Sequence, residues 1–268
     1  MFRVTDSMLY RSNRTWGEDR LFFGRNCCGV IDGATPIDRL PFGGYMSQAE
    51  WLADRLKAYL EDRETITDFP VACSDFMRSM EERGVFRGIS RKYNYPAATI
   101  AAAVEKDGTL SGYVLGDSGI LVFLKDRETR FFSDSRVSAF SGLTLEAMNR
   151  AAANGEETEK AVRKQKIRNR RKMNTKNGFW TVAPVGDFTG EFLTFTVPAE
   201  EVEACILFTD GLEQACDLCD IRLETLRDME QPSREIIRGI RNLEDSGSAK
   251  SDRYVKKIDD VGFIVLKP

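Results

Sequence analysis

The sequence predicts an α+β fold, and three observations carry that expectation. Short β-rich runs follow one another with turn residues between them at hairpin spacing. Other stretches place apolar residues at helical intervals. The two kinds of segment occur in blocks, without the regular strand–helix–strand alternation of a parallel sheet.

Taken in order, residues 21–31 read as a first strand block. Ser47-Gln48-Ala49-Glu50 then has the form of a capping box, with a hydroxyl and a carboxylate placed to satisfy the first amides of a helix. Leu52, Leu56, Tyr59 and Leu60 continue it as one amphipathic face to about residue 63. A second helix is expected over 71–83, ending at Gly84, because glycine accepts the left-handed conformation that closes a helix. Residues 99–104, 109–115, 120–124 and 129–132 read as strands. They are separated by Lys106-Asp107-Gly108, Gly116-Asp117-Ser118-Gly119 and Asp126-Arg127-Glu128, which together predict an antiparallel meander. Residues 138–178 are mostly helical in pattern. Strands follow at 192–197 and 204–208, then a helix centred on Ile236, Ile237, Ile240 and Leu243, a surface loop over 245–253 and a closing strand over 261–266.

Composition sets bounds on function. A chain of 268 residues with 42% hydrophobic content can bury a large core, and residues 1–268 are read as a single domain carrying one insertion. A net charge of −3 argues against whole-surface attraction to nucleic acid or to anionic membrane. The first twelve residues lack the apolar core of a signal peptide and no apolar run is long enough to span a bilayer, so a soluble, cytoplasmic protein is expected. The six cysteines do not form a disulfide framework; Cys27 and Cys28, adjacent on a strand, point to opposite faces. Cys216-Asp217-Leu218-Cys219 has the spacing of half a zinc site, but two ligands are too few, and semi-buried helix positions are the simpler reading. The absence of histidine excludes Ser-His-Asp and Cys-His catalysis and imidazole metal ligands.

What remains is chemistry on carboxylates, Arg, Lys, Tyr, Cys or a metal-bound water, and the carboxylates stand out. Asp32 in Cys28-Gly29-Val30-Ile31-Asp32-Gly33, Asp210 in Ile206-Leu207-Phe208-Thr209-Asp210-Gly211, and Asp259-Asp260 before Val261 each stand at the mouth of an apolar strand. A carboxylate there is costly to desolvate unless a cation compensates it, so the three point to one shared hard-metal site. Arg163-Lys164-Gln165-Lys166-Ile167-Arg168-Asn169-Arg170-Arg171-Lys172 is the one strong charge run. It reads either as a solvated helix face or as a docking surface for an acidic or phosphorylated partner.

The order of these motifs resembles that of the metal-dependent protein phosphatase 2C family. Arg14-Thr15-Trp16-Gly17-Glu18-Asp19 is similar to the family's opening arginine followed by Glu-Asp. Gly29-Val30-Ile31-Asp32-Gly33 and Leu207-Phe208-Thr209-Asp210-Gly211 resemble its two Asp-Gly motifs, Gly116-Asp117-Ser118 its Gly-Asp-Ser hairpin, and Asp259-Asp260 its Asp-Asn before the last strand. The resemblance implies a four-layer αββα sandwich of two antiparallel sheets flanked by helices, with an inserted helical flap at about 138–180. It implies two Mn²⁺ or Mg²⁺ ions, with a third in some members. Asp32 would bridge the two, Glu18 and the Gly33 carbonyl would complete one, and Asp210 with Asp259 the other. Asp117 would serve the third ion. Arg14 would bind phosphoryl oxygens through its planar fork, and Asp19 would orient water on a metal. Oxygen ligands select such hard cations in any case, and two of them can activate a water for in-line attack on phosphorus.

The implied activity is hydrolysis of phosphoserine or phosphothreonine on a protein substrate, opposing a serine/threonine kinase, with Arg168, Arg170 and Arg171 as candidate docking residues. Two departures qualify it. Many members place a histidine just after the first Asp-Gly, where this chain has Ala34-Thr35. The flap's Thr-Arg-x-x-Gly-Asp pattern is also missing around 174–184, with Gly186-Asp187 as a remnant. A catalytically weak, phosphoprotein-binding regulator is therefore one alternative. A two-metal phosphodiesterase acting on nucleic acid is another, which the acidic composition and the lack of aromatics in the basic run oppose.

Overall fold

Strand β1 (Arg3–Tyr10) opens the chain in the computed structural model, which describes residues 2–12, 16–38, 40–246, 254 and 258–268. The hairpin β2 (Arg20–Phe23) and β3 (Cys27–Gly33) leads to helices α1 (Gln48–Glu61) and α2 (Phe69–Glu82). Four strands follow: β4 (Ala98–Lys106), β5 (Thr109–Leu115), β6 (Gly119–Leu124) and β7 (Thr129–Ser133). The helical pair α3 (Ser135–Ala153) and α4 (Thr158–Arg170) precedes β8 (Leu193–Pro198), β9 (Val202–Phe208), α5 (Asp210–Leu218), α6 (Pro232–Ser246) and β10 (Val261–Lys267). The strands form two five-stranded antiparallel sheets, ordered β1-β10-β9-β6-β7 and β2-β3-β4-β5-β8.

Period-two alternation builds three hydrophobic layers from these sheets. Ile120 and Val122 of β6, Cys205 and Leu207 of β9 and Ile264 and Leu266 of β10 point between the sheets, where they meet Val30, Ala101 and Ala103. Their neighbours Leu121, Phe123, Ile206, Phe208 and Phe263 point outward, under Leu212 of α5 and Ile236 and Ile240 of α6. On the other outer face, Phe22, Ile31 and Ile100 pack beneath Leu52, Leu56 and Leu60 of α1 and Phe69 and Phe76 of α2. The result is the expected αββα sandwich of two antiparallel sheets flanked by helices. Cys27 belongs to the outer layer and Cys28 to the inner one, as adjacent strand residues must.

The helix signals correspond closely to the structure. Ser47 caps α1, its hydroxyl accepting the Glu50 amide at 3.0 Å. Arg83 closes α2 and Gly84 follows in the left-handed region at φ +70°. Cys216 lies within α5 and Cys219 caps its end, both as free thiols.

The meander expectation is corrected. β4 pairs with β5 and β6 with β7, but β5 and β6 lie in different sheets, so residues 116–118 form a crossing rather than a hairpin turn. Gly116 makes the crossing possible: its φ is +85°, and a Cβ there would lie 2.4 Å from Thr99 Cγ2. Every residue of β6 is buried, so its sequence carries no alternation to reveal a change of sheet. The first strand block is a hairpin turning at 24–26. Strand β1, half of it exposed and with polar residues through its first part, gave no strand signal at all; it is held by its antiparallel pairing with β10. Of the loop expected over 245–253, Asp245 and Ser246 fall in α6 and 247–253 lie outside the described residues.

Candidate metal centre

Four chain segments end at one edge of the sandwich, and each brings a carboxylate. Asp32 lies near the end of β3, opposite Thr99 of β4. Asp117 sits in the crossing between the sheets, Asp210 is the first residue of α5, and Asp259 immediately precedes Asp260 and β10. Carboxylate oxygens of Asp32, Asp117 and Asp210 all lie within 4.8 Å of one another. Asp210 at a helix N-terminus gains from the exposed amides of the first turn.

The two Asp-Gly dipeptides are demanded by close packing rather than by turns. Asp32-Gly33 belongs to a paired strand, and a Cβ on Gly33 would lie 2.7 Å from the Glu18 carbonyl oxygen. Asp210-Gly211 opens a helix, and a Cβ on Gly211 would lie 1.8 Å from the Asp260 carbonyl oxygen. Each glycine therefore lets a neighbouring acidic segment approach the backbone that carries an aspartate.

Electrostatics follow from that crowding. Burial, then Asp260 and Asp259, push the Asp19 carboxyl well above the ordinary carboxylate range, against a hydrogen bond from Thr209. Burial, then Asp19 and Asp210, raise Asp32 in the same direction. Burial and Asp210 raise Asp117. Asp19 is 3% exposed, and its Oδ2 has no hydrogen-bond partner among the described residues. An orphaned buried carboxylate oxygen beside carboxylates that destabilise one another is the donor set a hard divalent cation fits, since oxygen-only ligands select Mg²⁺ or Mn²⁺.

Glu18 is buried but turned to other partners. Its Oε1 accepts Ser47 Oγ at 2.6 Å and its Oε2 accepts Thr35 Oγ1 at 2.7 Å. The Gly33 amide donates to the Glu18 carbonyl at 3.2 Å, tying β3 to the acidic segment before β2. Arg14 lies outside the described residues. Of the three candidate docking arginines, Arg168 and Arg171 are exposed on α4 and at its end. Arg170 is buried at 7% exposure and donates to the backbone carbonyls of Ala34 and Thr35, so it belongs to the interior and not to the charged surface.

Several supporting residues were given no role of their own by sequence reasoning, Asp260 being named only within the Asp259-Asp260 motif. Asp260 accepts the Glu18 amide at 2.9 Å and both the amide and hydroxyl of Ser12, at 2.9 and 2.8 Å. Arg20, 6% exposed, donates to the carbonyls of Gly17 and Asp19, both at 2.8 Å, and pairs with Asp54 at 3.1 Å and Glu50 at 3.5 Å. Thr209 exchanges bonds with Gly262, fixing the ends of β9 and β10 together. The one available signal was Glu50 and Asp54, four residues apart on α1 and placed to receive a cation. A groove of about 700 Å³ between α3 and α5 opens onto Asp117, Asp210 and Asp259, with Phe131, Lys166 and Glu213 on its walls.

Comparison with known proteins agrees with this architecture. A sequence model of the family described as Protein phosphatase 2C matches residues 18–252. No curated protein matches the chain. The serine/threonine phosphatase PstP/Ppp of Mycobacterium tuberculosis superposes with a TM-score of 0.54 at 15% identity, over 99% of this chain and 98% of that one. The serine/threonine phosphatase of S. agalactiae gives 0.54 at 14%, over 100% and 99%. The serine/threonine phosphatase Stp1 of Staphylococcus aureus gives 0.51 at 16%, over 100% and 94%. At these identities the likeness is one of fold.

Proposed function

The chain belongs to the protein phosphatase 2C family, and from that premise we propose that it hydrolyses phosphoserine or phosphothreonine on proteins with the help of two Mn²⁺ or Mg²⁺ ions. The observation that carries the reading is the convergence of Asp32, Asp117 and Asp210 within 4.8 Å, next to the buried Asp19 Oδ2, which has no partner among the described residues. Asp32 would lie between the ions, with Asp210 and Asp259 on one side and Glu18 and the Gly33 carbonyl on the other. Asp117 would hold a third. When bound, the ions supply Lewis acidity to the phosphoryl group and an activated water as nucleophile.

The remaining steps belong to the chain. Arg14 would bind the phosphoryl oxygens with its planar fork, leaving the carboxylates to hold charge behind the reacting phosphorus. Asp19, with one oxygen unpartnered among the described residues, would orient the attacking water. Ser47 and Thr35 hold both Glu18 oxygens, so that carboxylate keeps one orientation through turnover. The groove between α3 and α5 gives an extended phosphopeptide a path to the site. With no histidine in the chain, the leaving alcohol takes its proton from water in that open groove. No helix among the described residues is long and apolar enough to cross a membrane.

The test is hydrolysis of a phosphoserine peptide and an aryl phosphate with Mn²⁺, each repeated in chelator. Turnover that requires the metal supports the reading. Metal binding and phosphopeptide binding without turnover would favour a phosphoprotein-binding regulator, a second reading motivated by the missing histidine.

A further inference from the structure

Arg170 ends α4, the second helix of the inserted pair, yet its guanidinium reaches the loop that leaves Asp32. Its Nη2 donates to the Ala34 carbonyl at 2.5 Å and to the Thr35 carbonyl at 3.1 Å, across more than 130 residues of sequence. The same loop is held from the other side. The Ala34 amide donates to the Ala97 carbonyl at 2.9 Å, and because the peptide is planar and trans, the Gly33 carbonyl of that unit must point the opposite way. Thr35, whose carbonyl Arg170 holds, turns its hydroxyl to Glu18.

We propose that Arg170 is a positioning residue for the ion ligands: by clamping two consecutive peptides after Gly33 it fixes the direction of the Gly33 carbonyl and, through Thr35, the Glu18 carboxylate. The inserted helices thereby become part of the metal centre as well as a surface beside it. This inference rests on the two-ion reading above.

The burial of Arg170 fits the role. An arginine taken out of water is retained where its donors have fixed acceptors and a counter-charge is near, and here the acceptors are two backbone oxygens and the neighbouring charge is that of Glu18. Both bonds come from a single nitrogen, so a lysine ammonium that reached the loop could reproduce part of the clamp, whereas an uncharged side chain of similar length could not.

The experiment is calorimetric titration of Mn²⁺ into the full chain, comparing Arg170→Met, Arg170→Lys, Asn169→Ala and Asp32→Asn. Asn169 fastens α4 to α3 through Phe140 and Thr144 without touching the loop, so its loss loosens the helix pair alone. Residues that orient metal ligands cost about 10–100-fold in affinity when removed, so Arg170→Met should weaken Mn²⁺ by at least about tenfold, Arg170→Lys by less, and Asn169→Ala hardly at all. Should Arg170→Met not fold, Arg170→Gln carries the same comparison. Unchanged Mn²⁺ affinity in Arg170→Met, or equal losses in Arg170→Met and Asn169→Ala, overturns the positioning role. Asp32→Asn separates the two claims. If it too leaves Mn²⁺ binding intact, the two-ion reading has failed and the inference with it; if it abolishes binding while Arg170→Met does not alter it, the inference alone has failed.

Discussion

The Asp260 carboxylate accepts the backbone amide of Glu18 at 2.9 Å, joining residues 242 positions apart. The segment that carries Glu18 and Asp19 is not part of any strand, and its position depends on this bond, on the Gly33 amide and on the Arg20 guanidinium. Removing the Asp260 carboxylate strands three donors, those of Glu18 and Ser12, in a partly buried place. Asp260→Ala is therefore expected to lower stability by about 1–3 kcal/mol and to weaken Mn²⁺ binding in the same variant. Thermal unfolding in chelator and metal titration check the two effects separately; normal values of both would mean the segment is held without Asp260.

Asp32→Asn tests the crowding of charge directly. The folded-state pKa of Asp32 is raised, first by burial and then by Asp19 and Asp210, so its ionised form is disfavoured in the fold. Such a group contributes stability below its unfolded pKa and loses it as pH rises through the folded one. In chelator at neutral pH, Asp32→Asn should thus be more stable than the parent chain, and the difference should shrink as pH falls towards the ordinary carboxylate range near about 4. Metal-dependent turnover of the same variant should fall by orders of magnitude. A less stable Asp32→Asn chain at neutral pH in chelator would contradict the charge crowding.

For Arg14, which lies outside the described residues, the proposed role is phosphate binding. Arg14→Ala should raise KM and lower kcat/KM for phosphorylated substrates while leaving Mn²⁺ affinity almost intact, and Arg14→Lys should recover only part of the loss. Steady-state kinetics beside calorimetric titration decide the matter; a large loss of metal affinity would assign Arg14 to the metal centre instead.

The exposed basic face of α4 gives a substrate prediction from which Arg170 must be left out, because its side chain is buried. Reversing Lys164, Arg168 and Arg171 to Glu should lower kcat/KM on acidic phosphoproteins, with a deficit that shrinks as salt rises, and barely change aryl phosphate hydrolysis. Unchanged kinetics on both substrates would leave these residues as a solvated helix face.

Much of this architecture was legible because its signals are local. Caps and apolar spacing gave α1 and α2, and the acidic strand ends pointed to Asp32 and Asp210, which the fold brings together with Asp117. Topology was less so. The Gly116 crossing has the composition of a hairpin turn, and only the strand pairing, β5 with β4 but β6 with β7 and β9, shows that it joins two sheets. The same limit hid Arg170 within a basic run, since burial of one arginine among exposed neighbours is decided by the loop it meets and not by the helix it sits on. Arg20 escaped for the same reason, and Asp260 was named only within its motif: much of what each holds is backbone, which carries no residue-specific signal.

The central claim is that these carboxylates hold two divalent ions with Asp32 between them. Anomalous diffraction from crystals of the full chain soaked in Mn²⁺ measures this directly. The account predicts two manganese peaks about 3.5–4 Å apart, both within ligand distance of Asp32, one also near Asp210 and Asp259 and the other near Glu18 and the Gly33 carbonyl. Full occupancy of a single site away from Asp32, or no peak among these carboxylates at saturating Mn²⁺, would contradict it.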